Sequence, residues 1–125
     1  MGVDIRALQA WIDDLEHADE VLVDRTERVV GKGMFNIKKD WQARWTGHAH
    51  IPHLPRAIRY DVTTSSDVVN GDVYVDEHKR QGPLGAIIAW GLGDNAPLPG
   101  PLEAIAAEEP RFERALADML EDLLS

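Results

Sequence analysis

The chain has no cysteine among its 125 residues. That excludes a disulfide framework and any thiolate metal site. It has three serines, Ser65, Ser66 and Ser125, and none sits in a strand-turn-helix elbow of the kind that exposes a nucleophile. No apolar run approaches the length needed to span a bilayer. A secretory leader is not expected either, because the first fifteen residues already carry Asp4, Asp13 and Asp14. Phenylalanine and tyrosine are scarce, two of each, so the four tryptophans supply most of the aromatic surface. A net positive charge is also missing, which argues against a free nucleic-acid-binding module.

What is present is acid, unevenly placed. The net charge is −9. Residues 1–30 contribute −5, residues 31–61 contribute +4, residues 62–102 contribute −3 and residues 103–125 contribute −5. The chain therefore has two acidic ends around a basic middle. Its length fits one domain, 1–125, with a modest core.

The apolar periodicity defines the elements. Ile5, Leu8, Trp11, Ile12 and Leu15 recur at three- and four-residue spacing behind a potential N-cap, Asp4, which predicts a helix. The pattern runs through Leu22, Val29 and Val30 to Gly31 and Gly33. Each glycine costs a helix about 1 kcal/mol relative to alanine, so a break or bend is expected there. A second helix is expected over 35–45, on Met34, Ile37, Trp41 and Trp45. Residues 47–55 read as a loop. Ile58, Tyr60 and Val62 then alternate with Arg59, Asp61 and Thr63, predicting a half-buried strand over 56–63. Ser65-Ser66-Asp67 and Asn70-Gly71 are both turn signals. Val73 and Val75 continue the alternation on a second strand, antiparallel to the first. The run from Leu84 to Trp90 reads equally as a short helix or a buried strand. The final helix starts near Leu102 and carries the apolar set Leu102, Ile105, Ala106, Phe112, Leu116, Met119, Leu120 and Leu123. Pro110 lies inside it and predicts a kink or a restart at 108–110. The fold class is α+β: a small antiparallel sheet packed with N-terminal helices and a long, kinked C-terminal helix.

No constellation points to catalysis or to a cofactor. His48, His50 and His53 crowd one loop, but no pair stands at i, i+4 on a helix and the next acid downstream is Asp61. Asp72 and Asp76 share a strand face, where solvated acids are the ordinary finding. Gly91-Leu92-Gly93 is too short for a phosphate cradle and reads as a turn. Arg56 and Arg59, with Lys38, Lys39 and Arg44, form a candidate basic patch suited to phosphates or to an acidic neighbouring subunit. Trp11 and Trp41 are placed on core stripes. Trp45 and Trp90 lie beside loops, where a large aromatic is either an interface anchor or core.

The order of blocks from residue 54 onward resembles a known family. Leu54-Pro55-Arg56-Ala57-Ile58 is followed by Val73-Tyr74-Val75-Asp76, Gln81-Gly82-Pro83-Leu84-Gly85 and Trp90-Gly91. Then come Pro97-Leu98-Pro99, Pro101-Leu102 and Pro110-Arg111-Phe112-Glu113-Arg114-Ala115-Leu116. This series is similar to the neck or tail-completion proteins of long-tailed phages, also labelled head-to-tail connector or minor tail proteins, in the branch from phages of actinobacteria. It covers roughly two thirds of the chain. Two departures stand out: Ala89 replaces a glutamate usual before the aromatic-glycine pair, and His53-Leu54-Pro55 replaces a Thr-Gly pair.

The resemblance implies a non-enzymatic virion protein, made in the host cytoplasm and built into the neck. Copies would form a homo-oligomeric ring, by expectation a hexamer, between the head-closure protein and the tail terminator or tail tube. Genomic DNA would pass through its channel without sequence-specific binding, and no membrane would be involved. The expected subunit-interface residues are Trp90, Trp45, Arg56, Arg59, Lys79 and Arg80. A tail terminator capping the tail tube is the alternative within the class. An acidic DNA-mimic inhibitor is the alternative outside it.

Overall fold

The computed structural model describes residues 5–47, 51–66, 68–76, 78–82 and 99–124, with side chains from residue 19 onward. Among the described residues there are two long helices and one antiparallel hairpin, an α+β architecture. Helix α1 spans Ile5–Trp45. A 3-10 turn, Leu54–Ala57, leads into strand β1 (Ile58–Ser65), which pairs with β2 (Val68–Val75). Helix α2 spans Pro101–Leu124. Among the described residues, no helix is long and apolar enough to cross a membrane.

Helix α1 does not break at its glycines. It runs unbroken through Gly31 and Gly33, so the two helices expected on either side are one. Packing offsets the propensity loss. A Cβ on Gly33 would stand 2.8 Å from Cδ2 of Phe112, so the missing side chain is what lets α2 seat its ring against α1. The two helices run antiparallel. Gly33 meets Phe112, Asn36 donates to Glu108, Thr26 approaches Met119, and Arg25 pairs with Asp122. The hairpin covers another side of α1, with Thr64 donating to Glu27 at 2.6 Å near its tip.

The register runs from Ile58 opposite Val75 to Ser65 opposite Val68, so the chain reverses just after Ser65. Ser66 takes a positive φ of 55°, the left-handed region that tight hairpin turns use. The second turn signal, Asn70-Gly71, instead lies within β2, opposite Thr63 and Val62. Gly71 is there because β2 crosses α1 closely. A Cβ at this position would stand 2.5 Å from Cγ of Met34 and 2.8 Å from Cγ1 of Val30.

Helix α2 likewise passes through Pro110 as one element, so the helix does not stop and restart there. Proline there removes the bond to the carbonyl of Ala106. Both residues are exposed, so water reaches that carbonyl. The helix start is well specified: Pro101 occupies the first helical position and Glu103 Oε2 accepts from the Gly100 N–H at 2.7 Å.

The core gathers at the C-terminal end of α1. Ile37, Trp41, Trp45, Ile51, Leu54, Ala57, Ile58 and Ala104 form one buried cluster, with Met34, Val73 and Val75 against it. Residues 51–57 fold over Trp45 and leave it 0 % exposed. In α2 the expected apolar set divides. Met119 is buried, and Phe112, Leu116 and Leu123 are half-buried. Leu102, Ile105 and Leu120 are exposed. The possible cap at Asp4 and the run 84–90 lie outside the described residues, as does the side chain of Trp11.

Candidate interaction surfaces

The residues expected at an interface fall into different settings. Trp45 is fully buried, which corrects its placement at a subunit contact: it stacks edge-on against Trp41, 5.2 Å between ring centroids, as core. Trp90 lies outside the described residues. Arg56 is exposed on the 3-10 turn, beside a cleft shared with Gln42, Thr46 and Pro55. Arg59 is exposed on the outer face of β1, with Nη1 3.6 Å from Asp76 Oδ2. Lys79 and Arg80 are exposed in the turns after β2, where Lys79 N–H donates to the Asp76 carbonyl and Gly82 N–H to the Lys79 carbonyl.

Asp76 is therefore occupied structurally. Its Oδ1 accepts from His78 N–H at 2.9 Å while Oδ2 faces Arg59, an arrangement that fixes the turn. Asp72 stands on the same outer face, directly opposite Asp61. Two carboxylates facing across a ladder repel. Tyr74 relieves the crowding by donating its hydroxyl to Asp61 Oδ2 at 2.7 Å. That hydrogen bond, then partial desolvation and the negative charge of Asp61, raise the Tyr74 pKa above its ordinary 10.0. The folded state thus favours the protonated phenol. Its contribution is fully present below pH 10.0 and is lost as pH rises through the folded pKa. In a Tyr60→Phe background, where Tyr74 is the one remaining tyrosine, ultraviolet titration is expected to show ionisation above pH 10.0. Asp61→Asn is expected to bring it back down.

A further group of cations lies along α1. On the solvent side of α1, Lys32 Nζ and Lys39 Nζ lie 5.3 and 5.7 Å from the centroid of the Phe35 ring. Phe35 meets Tyr60 edge-on at 6.2 Å, and Lys38 Nζ lies 5.6 Å from the Tyr60 ring. These are cation–π contacts. None of the three lysines has a carboxylate within ion-pair distance among the described residues. Arg44 is held apart by Asp40, one turn back. Lys38 and Lys39 were legible as basic residues. Lys32, Phe35 and Tyr60 were not singled out, although Lys32, Phe35 and Lys39 stand at i, i+3 and i+7, the spacing of a single helical face.

The counterpart is the outward face of α2. Leu102, Ala106, Glu109, Glu113, Ala117, Leu120 and Leu124 recur at three- and four-residue intervals and are all exposed. Glu109 and Glu113 have no cationic partner among the described residues. Glu108, one position round the helix, is buried. Its Oε1 accepts from Asn36 Nδ2 at 2.9 Å, and its Oε2 lies 2.9 Å from Arg111 Nη2 without hydrogen-bond alignment. Glu108 thus ties α2 to α1, while the next glutamate points away.

Between α1, β2 and the start of α2 lies an apolar cleft of about 320 Å3, lined by Met34, Ile37, Trp41, Val73 and Ile105 with Asp72 at its margin. No group of three or more histidine and acidic side chains able to hold a metal occurs among the described residues. His53 is engaged through its backbone, N–H to Gln81 Oε1 at 2.8 Å. Comparison of the chain with protein-family models, with curated proteins and with solved structures gave no significant match.

Proposed function

We propose that this chain is a structural subunit of the neck of a long-tailed phage. In this reading, copies close into a ring between the head-closure protein and the tail terminator, leaving a channel through which the genome passes. The place in the virion rests on the ordered blocks from Leu54 to Leu116 that resemble neck and tail-completion proteins. The observation that carries a self-assembling role is the segregation of charge into two surfaces without ion-pair partners among the described residues, lysines around Phe35 and glutamates along α2. Rings of identical subunits form when one patch on a subunit fits a different patch on the next and the rotation closes. A surplus of acid fits a wall that phosphates must slide past.

A DNA-mimic inhibitor is less well supported, since it needs a continuous acidic face and these lysines interrupt one. Deleting the gene from the phage tests the neck reading. The expected outcome is DNA-filled heads accumulating beside separate, unattached tails, with function restored by supplying the protein in trans. Complete, infectious particles assembled without this polypeptide would overturn it.

A further inference from the structure

We infer that the outward face of α2 docks on the Lys32–Phe35–Lys39 face of α1 in a second copy of this chain, head to tail. The inference rests on the self-assembling reading above and names the surfaces that make the contact. Each face is incomplete alone. Glu109 and Glu113 are four residues apart on one helix, a like-charge pairing that is unfavourable, and nothing in the described chain neutralises them. Lys32 and Lys39 flank an aromatic ring and have no carboxylate partner among the described residues. The two faces are opposite in sign and similar in build. Both are single stripes on a helix. The lysines are about 10.5 Å apart along the axis and the glutamates about 6 Å, separations that long lysine side chains bridge. Ala106 and Ala117 bracket the glutamates and permit close helix–helix approach.

Apolar surface adds to the charge. Leu102 is 59 % exposed, Leu120 47 % and Leu124 87 %, all on the glutamate stripe. Leu120 and Leu124, one turn apart, put exposed apolar surface at one end of the stripe and Leu102 at the other, area that a second helix can bury. Direction follows from the packing. Met34, Ile37 and Trp41 face the cleft that Ile105 also lines. At 100° per residue, Phe35 and Lys39 lie on the other side of α1 from Ile37 and Trp41. The lysine face and the outward face of α2 are different patches of one subunit, so a contact between them is heterologous and, repeated head to tail, builds a ring or a filament.

The experiment uses charge exchange. Glu109→Lys with Glu113→Lys makes one variant, and Lys32→Glu with Lys39→Glu makes the other. Circular dichroism checks that each is folded. Wild type is expected to self-associate in sedimentation, weakening as salt rises. Each variant alone is expected to raise the apparent dissociation constant by about tenfold or more. Mixing the two restores association, because every altered face then meets a complementary one in an alternating assembly. A second measurement exploits the cysteine-free background. Lys39→Cys protein mixed with Glu113→Cys protein is expected to form a disulfide-linked dimer on oxidation, whereas Lys39→Cys mixed with Glu20→Cys is not. Assembly that survives both charge reversals, with no specific cross-link, overturns this contact and leaves the ring reading standing. A wild-type protein that stays monomeric at every concentration and fails to cross-link overturns the contact as well, and loss of the neck phenotype in the deletion test separately removes the ring. Duplex DNA binding abolished by Lys32→Glu with Lys39→Glu, with self-association unchanged, assigns the lysine face to nucleic acid and also overturns the proposal.

Discussion

Trp45→Ala is expected to lower the unfolding free energy by about 3–5 kcal/mol. For a chain of this size that is a large share of a total of about 5–15 kcal/mol, so the variant is expected to be largely unfolded at body temperature. Trp45 is enclosed completely and lies in the buried cluster with Leu54, Ala57 and Ile58. Its removal leaves a void where α1, the 3-10 turn and the start of α2 converge. The conservative variant separates volume from polarity. Nε1 of Trp45 has no hydrogen-bond partner among the described residues, and neither has Nε1 of Trp41. Trp45→Phe therefore deletes no hydrogen bond and removes a buried, unpaired donor, which offsets part of the lost packing. It is expected to cost about 1–2 kcal/mol, well below the alanine effect. Chemical denaturation followed by circular dichroism measures both. A Trp45→Ala protein that keeps wild-type stability and loses only self-association would return this residue to the interface.

That residue shows where reading the sequence stops. A tryptophan followed by Thr46-Gly47 looks like the edge of an element, and nothing local says that residues 51–57 fold back across it. The hairpin was legible because alternation is a local signal: Ile58, Tyr60 and Val62 face α1 as their spacing predicts. Its turn was ambiguous because two turn signals lie five residues apart. The observed register places the turn after Ser65, setting Tyr60 and Val62 opposite Val73 and Gly71, whereas a turn at Asn70-Gly71 would set them opposite Gln81 and Lys79. The continuity of α1 was hidden because a glycine's helix penalty is local while the contact that offsets it, the Phe112 ring on Gly33, comes from nearly eighty residues away. This had a consequence for the surface. With a break at Gly33, Lys32 and Phe35 belong to different elements and no shared face is visible. With the helix continuous, Lys32, Phe35 and Lys39 align. In α2 the apolar set was identified, but which leucines are covered depends on the direction from which α1 approaches, and periodicity does not specify that.

Gly71→Val is expected to destabilise the fold by about 2–4 kcal/mol, although valine is among the best strand formers and glycine among the worst. On propensity alone the change should stabilise β2. The close approach of β2 to α1 reverses the sign. The new Cβ would stand 2.5 Å from Met34 Cγ, 2.7 Å from Met34 Sδ and 2.8 Å from Val30 Cγ1. Methionine adapts, but its Cγ is near the backbone and moves little, and the valine methyl belongs to a β-branched side chain with one favoured helical rotamer. Relief requires the hairpin to lift from α1, which would open the apolar cleft that Met34, Gly71 and Val73 line. The test is a pairing with Met34→Ala. Removing the obstructing side chain from Gly71→Val protein is expected to recover part of the lost stability, so the double variant costs less than the two single changes added together. Strict additivity, or a stabilising Gly71→Val, would mean that β2 does not lie against α1 at this position, and that Gly71 serves the strand's conformation rather than its contact with the helix.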